Sequence, residues 1–186
     1  TETTSVGAGS ILPPEQVIKR GSSIGWPTPP TLFRVIDERL RELPVGEPGE
    51  LLISGSGVCR GYWNLPDKTS ESFIIDEEGR RWHRSGDIVV KDEEGFYTIV
   101  DRKKDMILRG GENVYSVEVE NLIAMNPKVL QVAVIGVPDR VLGEKIKAVV
   151  FPMPGHSITA EEVIESCRGK IADYKVPDFV TISDAP

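Results

Sequence analysis

Five consecutive charged residues, Asp101-Arg102-Lys103-Lys104-Asp105, interrupt the chain between two strand-like segments, Phe96 to Val100 and Met106 to Leu108. A dense charged run is poorly suited to the interior of a domain. The run therefore reads as a hinge, placed at 102–104, with one domain over residues 1–101 and a second over 105–186. The pattern of elements differs on its two sides.

On the amino-terminal side, residues 1–31 are rich in Gly, Ser and Pro, and regular structure is expected to be poor there. Strands are expected at Leu32 to Asp37 and Glu50 to Ser54, with a turn at Val45 to Gly49. Pro66 to Phe73 reads as a short helix with Asn64 as its cap. Further strands are expected at Arg81 to Arg84, Ile88 to Lys91 and Phe96 to Val100. Two Asp-Glu-Glu-Gly turns, at 76–79 and 92–95, punctuate them. Many short strands between turns predict a small, barrel-like sheet.

Beyond the charged run, strand and helix signals alternate. Met106 to Leu108 is a short strand ending at Gly110-Gly111, and Ser116 to Met125 is a helix with Ser116 at its cap. Val129 to Val137 and Lys145 to Phe151 read as strands joined by a turn at Pro138-Asp139. Thr159-Ala160-Glu161-Glu162 is a capping box opening a helix with Val163, Ile164, Cys167 and Ile171 on one face. Phe179 to Ile182 is a last strand. The whole is α+β: a short-strand, barrel-like part, a hinge, and a small α+β domain whose helices cover one side of a sheet.

At 186 residues, with 39% hydrophobic and 27% charged residues, the chain is long enough for one domain or two small ones with packed cores. The net charge of -7 and the shortness of the basic run at Arg102 to Lys104 argue against nucleic-acid binding. Cys59 and Cys167 lie far apart without CxxC spacing, and there are two histidines, so a zinc cluster is not expected. A reducing compartment fits best, with a single disulfide left open. No apolar run approaches the roughly 20 residues of a membrane span, and no signal peptide is seen at the start. A chain beginning Thr-Glu-Thr-Thr and ending Asp-Ala-Pro is expected to be a piece of a longer protein.

Single residues carry weak signals. Asp87, after Ser85-Gly86, suits a pair of sugar hydroxyls, but for a lone Ser-Gly-Asp a turn aspartate capping its own backbone is the favoured reading. Arg102 offers a fixed fork of donors to ribose or phosphate, but taken alone a solvated charge run, or ion pairs with Asp101 and Asp105, is the favoured reading. Lys104 reads as a surface charge, and Gly110-Gly111 as a tight turn that also lets a narrow ligand pass. Gly55 and Gly57 belong to no phosphate loop, since the Lys-Ser/Thr ending is missing. Trp63, Trp82 and Tyr62 are expected to pack, His83 to be structural or close to a substrate, and His156 to be exposed.

The combination is far more specific. Thr1-Glu2, Gly49-Glu50-Leu51, Gly55, Val58, Gly61-Tyr62, Arg84-Ser85-Gly86-Asp87, Asp101 to Asp105, Gly110-Gly111-Glu112-Asn113 and Tyr174-Lys175-Val176-Pro177 follow in one order. Along its whole length the chain resembles the carboxyl-terminal portion of an acyl-CoA synthetase of the adenylate-forming superfamily, of the medium- or long-chain fatty acyl type. The resemblance implies an enzyme that makes an acyl-adenylate from a carboxylic acid and MgATP, then passes the acyl group to coenzyme A after its small domain rotates. On that likeness residues 1–101 close the large adenylation domain. Thr1 lies near the phosphates and Glu2 helps hold magnesium. Asp87 binds the ribose hydroxyls, Arg102 contacts the nucleotide and Lys104 is the pivot. Gly110, Gly111 and Glu112 lie on the coenzyme A path.

Departures from the family pattern are His83 and Ser85, where an aromatic and a threonine are usual, and Ser116 in place of a common proline. The phosphate loop would precede Thr1 and the adenylation lysine would follow Pro186; neither Lys170 nor Lys175 stands in that lysine's motif. The piece alone is therefore expected to be inactive in adenylation, and its partners to be the acid, ATP, coenzyme A and the missing amino-terminal part. The implied location is cytoplasmic, with peripheral membrane association of the parent left open. Rival readings are an adenylation domain that loads a carrier-protein thiol, a luciferase-like oxygenase, and a non-catalytic binding module of the same fold. The Gly-Gly-Glu-Asn stretch favours free coenzyme A.

Overall fold

The computed structural model describes residues 9–183, and the chain divides into two compact units between Lys103 and Lys104. The first unit holds β1 (Ser10–Ile11), β2 (Ser23–Pro27), β3 (Leu32–Ile36), β4 (Gly49–Ser54), helix α1 (Pro66–Ser72), β5 (Phe73–Ile75), β6 (Arg81–Lys91) and β7 (Tyr97–Arg102). The strands form one curled antiparallel sheet in the order β1-β2-β7-β6-β4-β3, with β5 on β6.

Both faces of the middle of this sheet are covered. Val35, Leu51, Val89 and Tyr97 pack on one side, with Ile24, Phe33, Leu43 and Ile53 around them. Ile36, Leu52 and Trp82 pack on the other, against Ile74. Successive residues of a strand point to opposite faces, so Val35-Ile36 and Leu51-Leu52 each serve both clusters. That is why β4 reads as an unbroken apolar run rather than an alternating one.

Three expectations for this unit need correction. Residues 10–27 are not poor in structure: β1, a 3-10 turn at Pro14–Gln16 and β2 all form there, and β2 pairs with β7. Gly25 makes this possible. It has φ +84°, and a Cβ at that position would lie 1.8 Å from the Ile11 carbonyl oxygen, so only glycine lets β1 approach. Asn64 does not cap α1; it adopts φ +53°, and the cap position falls to Leu65. Thr69 supplies the closing bonds instead, its hydroxyl accepting from Tyr62 N at 2.9 Å and donating to Leu65 O at 2.8 Å. Finally, Arg81 to Arg84 and Ile88 to Lys91 are not separate strands but the two ends of β6.

One turn design recurs three times in the first unit. The two Asp-Glu-Glu-Gly turns behave alike. Asp76 Oδ1 accepts from Glu78 N and Arg80 N, and Asp92 Oδ1 accepts from Glu94 N and Phe96 N. Gly79 and Gly95 take φ +76° and +85°. Asp37 repeats the pattern by accepting from Arg39 N and Arg41 N, yet the left-handed position is held by Leu40 at φ +62°. A leucine there is strained by roughly 1–2 kcal/mol, partly offset by its lower entropy in the unfolded chain. Leu40→Gly is therefore expected to stabilise the first unit by about 0.5–1 kcal/mol. Denaturant unfolding measures this directly, and a lower midpoint would contradict the strain argument.

The second unit contains β8 (Ile107–Arg109), β9 (Glu112–Val114), helix α2 (Ser116–Ala124), β10 (Val129–Asp139), β11 (Gly143–Pro152), helix α3 (Ala160–Cys167) and β12 (Phe179–Ile182). Strands β10, β11, β8 and β9 are antiparallel neighbours, and β12 joins β11 in parallel after the crossover through α3. The helices cover one face. Val119 and Ile123 of α2 and Val163 and Cys167 of α3 meet Ile146, Ala148 and Val150 of β11 in one buried cluster.

The capping box forms as the sequence predicts, with Thr159 Oγ1 accepting from Glu162 N and Glu162 Oε2 accepting from Thr159 N. Ser116, expected as a cap, is instead the buried first residue of α2, after Tyr115. The Pro138-Asp139 turn also moves, because β10 continues through both residues. Asp139 Oδ1 accepts from Val141 N at 2.9 Å and Leu142 N at 3.0 Å, which sets the turn just beyond. The Lys145 ammonium and those two amides hold the Asp139 carboxyl far below its usual range.

Candidate functional site

The geometry of the first unit converges on Ser85-Gly86-Asp87. Strand β4 pairs Leu52 with Arg84 and Glu50 with Ile88, so three residues of β6 face Leu51 alone. This is a bulge, the kind of irregularity that re-aims a side chain. Gly86 adopts φ +73° with open space around its Cβ position, so conformation rather than crowding calls for glycine. Ser85 Oγ closes the bulge by donating to Leu51 O at 2.9 Å and accepting from Asp87 N at 3.0 Å. Serine thus supplies the hydroxyl that this backbone requires.

The bulge sets Asp87 directly across from Arg102 of β7. Arg102 Nε donates to Asp87 Oδ1 at 3.1 Å, and the arginine side chain stays 59% exposed. An exposed guanidinium beside a partly covered carboxylate offers both donors and acceptors to a polyhydroxyl, anionic ligand. The bland reading of Asp87 as a turn residue is replaced by its place in a strand, and the ion pair of Arg102 with Asp87 is not one the sequence proposed, which named Asp101 and Asp105. Asp101 Oδ1 accepts from Arg102 N at 2.7 Å.

Beneath this pair lies an ion cluster. Glu50 is only 5% exposed. It accepts from Arg84 Nε at 3.2 Å and Nη2 at 2.6 Å, and from Lys103 Nζ at 2.9 Å. Burial pushes the Glu50 carboxyl up, but the hydrogen bonds from Arg84 and Lys103 outweigh it and leave the group below its ordinary value. The hydrogen bonds to Glu50 raise Arg84 correspondingly. Sequence reasoning placed Glu50 in a strand and a motif and gave it no role. The available signal was a carboxylate inside the apolar run of β4, which has to find partners when the strand is buried.

The other predicted residues lie in the second unit. Lys104 is its first residue and is exposed. Gly110 and Gly111, at φ +61° and +89°, make the two-residue turn between β8 and β9, a geometry that strongly favours glycine at both positions. Gly110 N donates to Leu142 O at 2.7 Å, and Glu112 is exposed. The flank of the turn is anchored by Arg109, which donates to Tyr174 O at 2.8 Å and Asp178 Oδ1 at 2.7 Å. Thr1 and Glu2 lie outside the described residues. The structure therefore brings Asp87 and Arg102 together in one unit and groups Gly110, Gly111 and Glu112 in the other.

Trp82 and Tyr62 pack as expected, at 1% exposure for the indole and 5.8 Å between the Tyr62 and Phe73 rings. Trp63 does not, being 89% exposed. It lines a cleft of about 510 Å³ with Tyr62, Pro66 and Phe73, while a cleft of about 540 Å³ opens over Trp82 and Arg34. Neither cleft includes Asp87 or Arg102. His83 is buried against Phe73, and His156 is exposed. Among the described residues no cluster of three His, Cys, Asp or Glu side chains suits a metal ion, so the magnesium expectation rests on Glu2 alone. No helix among them is long and apolar enough to cross a membrane.

Residues 1–63 match the family described as AMP-binding enzyme, and residues 118–186 match the AMP-binding enzyme C-terminal domain. The chain belongs to the adenylate-forming, AMP-binding enzyme family and represents part of its carboxyl-terminal region. It is 43% identical, over 92% of its length, to a long-chain-fatty-acid–CoA ligase of Escherichia coli O6:H1, and covers 29% of that protein. It is 40% identical to the mitochondrial medium-chain acyl-CoA ligase ACSF2 of Mus musculus, over 91% of this chain and 27% of the relative. Among solved structures, ATP-bound MatB from Rhodopseudomonas palustris superposes with TM-score 0.81 at 36% identity, over 88% of this chain and 32% of that one. O-succinylbenzoate coenzyme A synthetase (MenE) from Bacillus subtilis in complex with AMP gives TM-score 0.84 at 29% identity, over 100% of this chain and 36% of that one. The chain thus spans less than a third of the length of these curated relatives.

Proposed function

We propose that this chain is the carboxyl-terminal part of a cytoplasmic, ATP-dependent acid–CoA ligase that activates a fatty acid as its acyl-adenylate and transfers it to coenzyme A. The observation that carries the proposal is the Asp87–Arg102 pair, set opposite each other across β6 and β7 beside the bulge. Asp87 accepts hydrogen bonds from the two ribose hydroxyls, and Arg102 donates to the same nucleotide. Residues 102–104 are the hinge, Lys104 is its pivot, and residues 105–186 are the mobile domain. The exposed glycine turn, with Gly110, Gly111 and Glu112, borders the coenzyme A path. Its missing side chains leave room for a narrow pantetheine arm. Thr1 serves the phosphate side, and Glu2 is the residue that would hold magnesium, whose charge would offset that of the phosphates. The chain by itself does not adenylate.

Two measurements test this. With ATP, magnesium and a fatty acid, the 186-residue chain is expected to form no acyl-adenylate; steady formation would overturn the division of labour proposed. In an amide-resolved titration, AMP is expected to perturb Ser85 to Asp87 and Arg102. Asp87→Ala should weaken binding roughly 10-fold, the scale of a charge-assisted hydrogen bond. Binding that ignores Asp87 would sink the nucleotide assignment.

A further inference from the structure

The ion cluster under the Asp87–Arg102 pair has a geometry that stability alone does not call for. Its neighbours in β4, Leu51 and Leu52, are each 2% exposed, so position 50 lies in an apolar stretch. Replacing a buried ion cluster by apolar side chains is often neutral or stabilising. A carboxylate at this position does something a leucine cannot, since it binds two cations arriving from different segments of chain.

Those segments are the two that carry the proposed nucleotide contacts. Arg84 is the last β6 residue before the bulge, and Ile88, in register with Glu50 itself, is the first after it. Glu50 therefore brackets Ser85-Gly86-Asp87 from both ends. Lys103 follows Arg102 directly and is tied twice, by its ammonium to Glu50 and by its backbone N–H, which donates to Gly86 O at 2.8 Å. Arg102 and Lys104, on either side of it, are exposed. Arg102 is itself held, by its place in β7 and its bond to Asp87, so the chain leaves the first unit through two held residues followed by the exposed Lys104.

We infer that Glu50 is a positioning residue for the nucleotide site. Its carboxylate clamps β6 through Arg84 and the departing chain through Lys103, holds Asp87 and Arg102 at their mutual spacing, and makes Lys103 the last fixed residue before the junction. The inference rests on the nucleotide reading of Asp87 and Arg102 given above, and it narrows the proposed hinge at 102–104 to its last residue, since Arg102 and Lys103 are held to the first unit.

Glu50→Gln is the direct variant, but it leaves two cations facing a neutral group and risks the fold of the unit. Lys103→Met is the decisive one. It keeps an unbranched side chain, removes the donor and leaves Arg84 in place. In the 186-residue chain, Lys103→Met is expected to leave the unfolding midpoint near that of the unsubstituted protein. Hydrogen exchange at the Lys103 amide should rise roughly 10-fold, and AMP affinity should fall by a similar factor, the scale of one lost charge-assisted bond. Lys103→Arg, which restores a donor, should return both values. A purely structural role would move the midpoint and leave exchange and affinity to follow it. Unchanged exchange and affinity in Lys103→Met, or failure of Lys103→Arg to restore them, overturns the clamp. The unsubstituted chain separates the two claims: an absence of AMP response at Asp87 and Arg102 there overturns the nucleotide reading, while the exchange arm still decides whether Glu50 fixes the junction.

Discussion

Trp82→Ala is expected to destabilise the first unit by about 3–5 kcal/mol, close to the whole stability of many small domains. The indole is 1% exposed and packs with Ile36, Leu52 and Ile74. Its removal leaves a cavity under a sheet that cannot collapse freely, because β4 and β6 are held in register on either side. Two further contacts go with it. Trp82 Nε1 donates to Asp76 Oδ2 at 2.8 Å, and the Arg34 guanidinium lies 4.4 Å from the ring centroid. Asp76 in turn organises the turn between β5 and β6, and that N–H is the leading reason its carboxyl sits below the usual range. Trp82→Phe separates the effects. It keeps much of the buried ring and loses the N–H, and should cost about 1–2 kcal/mol. Denaturant unfolding followed by circular dichroism compares the two variants. Equal costs for Ala and Phe would show that the hydrogen bond, not the burial, dominates.

Local chemistry was legible in the sequence, and long-range pairing was not. The Asp-Glu-Glu-Gly turns, the Thr159 capping box and the apolar strands Glu50 to Ser54 and Val129 to Val137 all act over a few residues, so their signals lie where their structures form. The charged run at 101–105 contains the point, between Lys103 and Lys104, at which the chain divides into two compact units. The bulge on β6 was read as a break between strands because Gly86 looks the same in a turn and in a bulge until the partner strand is known. Glu50 was missed for the same reason at larger range. Its partners Arg84 and Lys103 lie 34 and 53 residues away, and no local pattern announces such a meeting. Asn64 and Ser116 each missed their cap positions by one residue, the usual uncertainty of a helix end. Asp87 and Arg102 were each weak alone. Their register across β6 and β7 is what joins them, and register is a property of the sheet.

Ile146→Ala is expected to cost about 2–5 kcal/mol and to unfold the second unit without touching the first. Ile146 is fully buried at the centre of the cluster that α2 and α3 form over β11. Its backbone N–H donates to Asp178 Oδ2 at 2.9 Å, and Asp178 Oδ1 accepts from Arg109, beside the glycine turn. Truncation therefore removes the filling from beneath a strand that also helps hold that turn. Each unit has its own sheet and buried clusters drawn only from its own residues, which predicts two transitions rather than one. Amide exchange resolves them. In Ile146→Ala, protection should fall across β10, β11 and α2 and stay at its original level in β4, β6 and β7. A uniform loss over both sets of strands would mean that the units fold as one. It would also remove the basis for the proposed hinge at 102–104, since a joint needs two bodies that keep their own shape while they move.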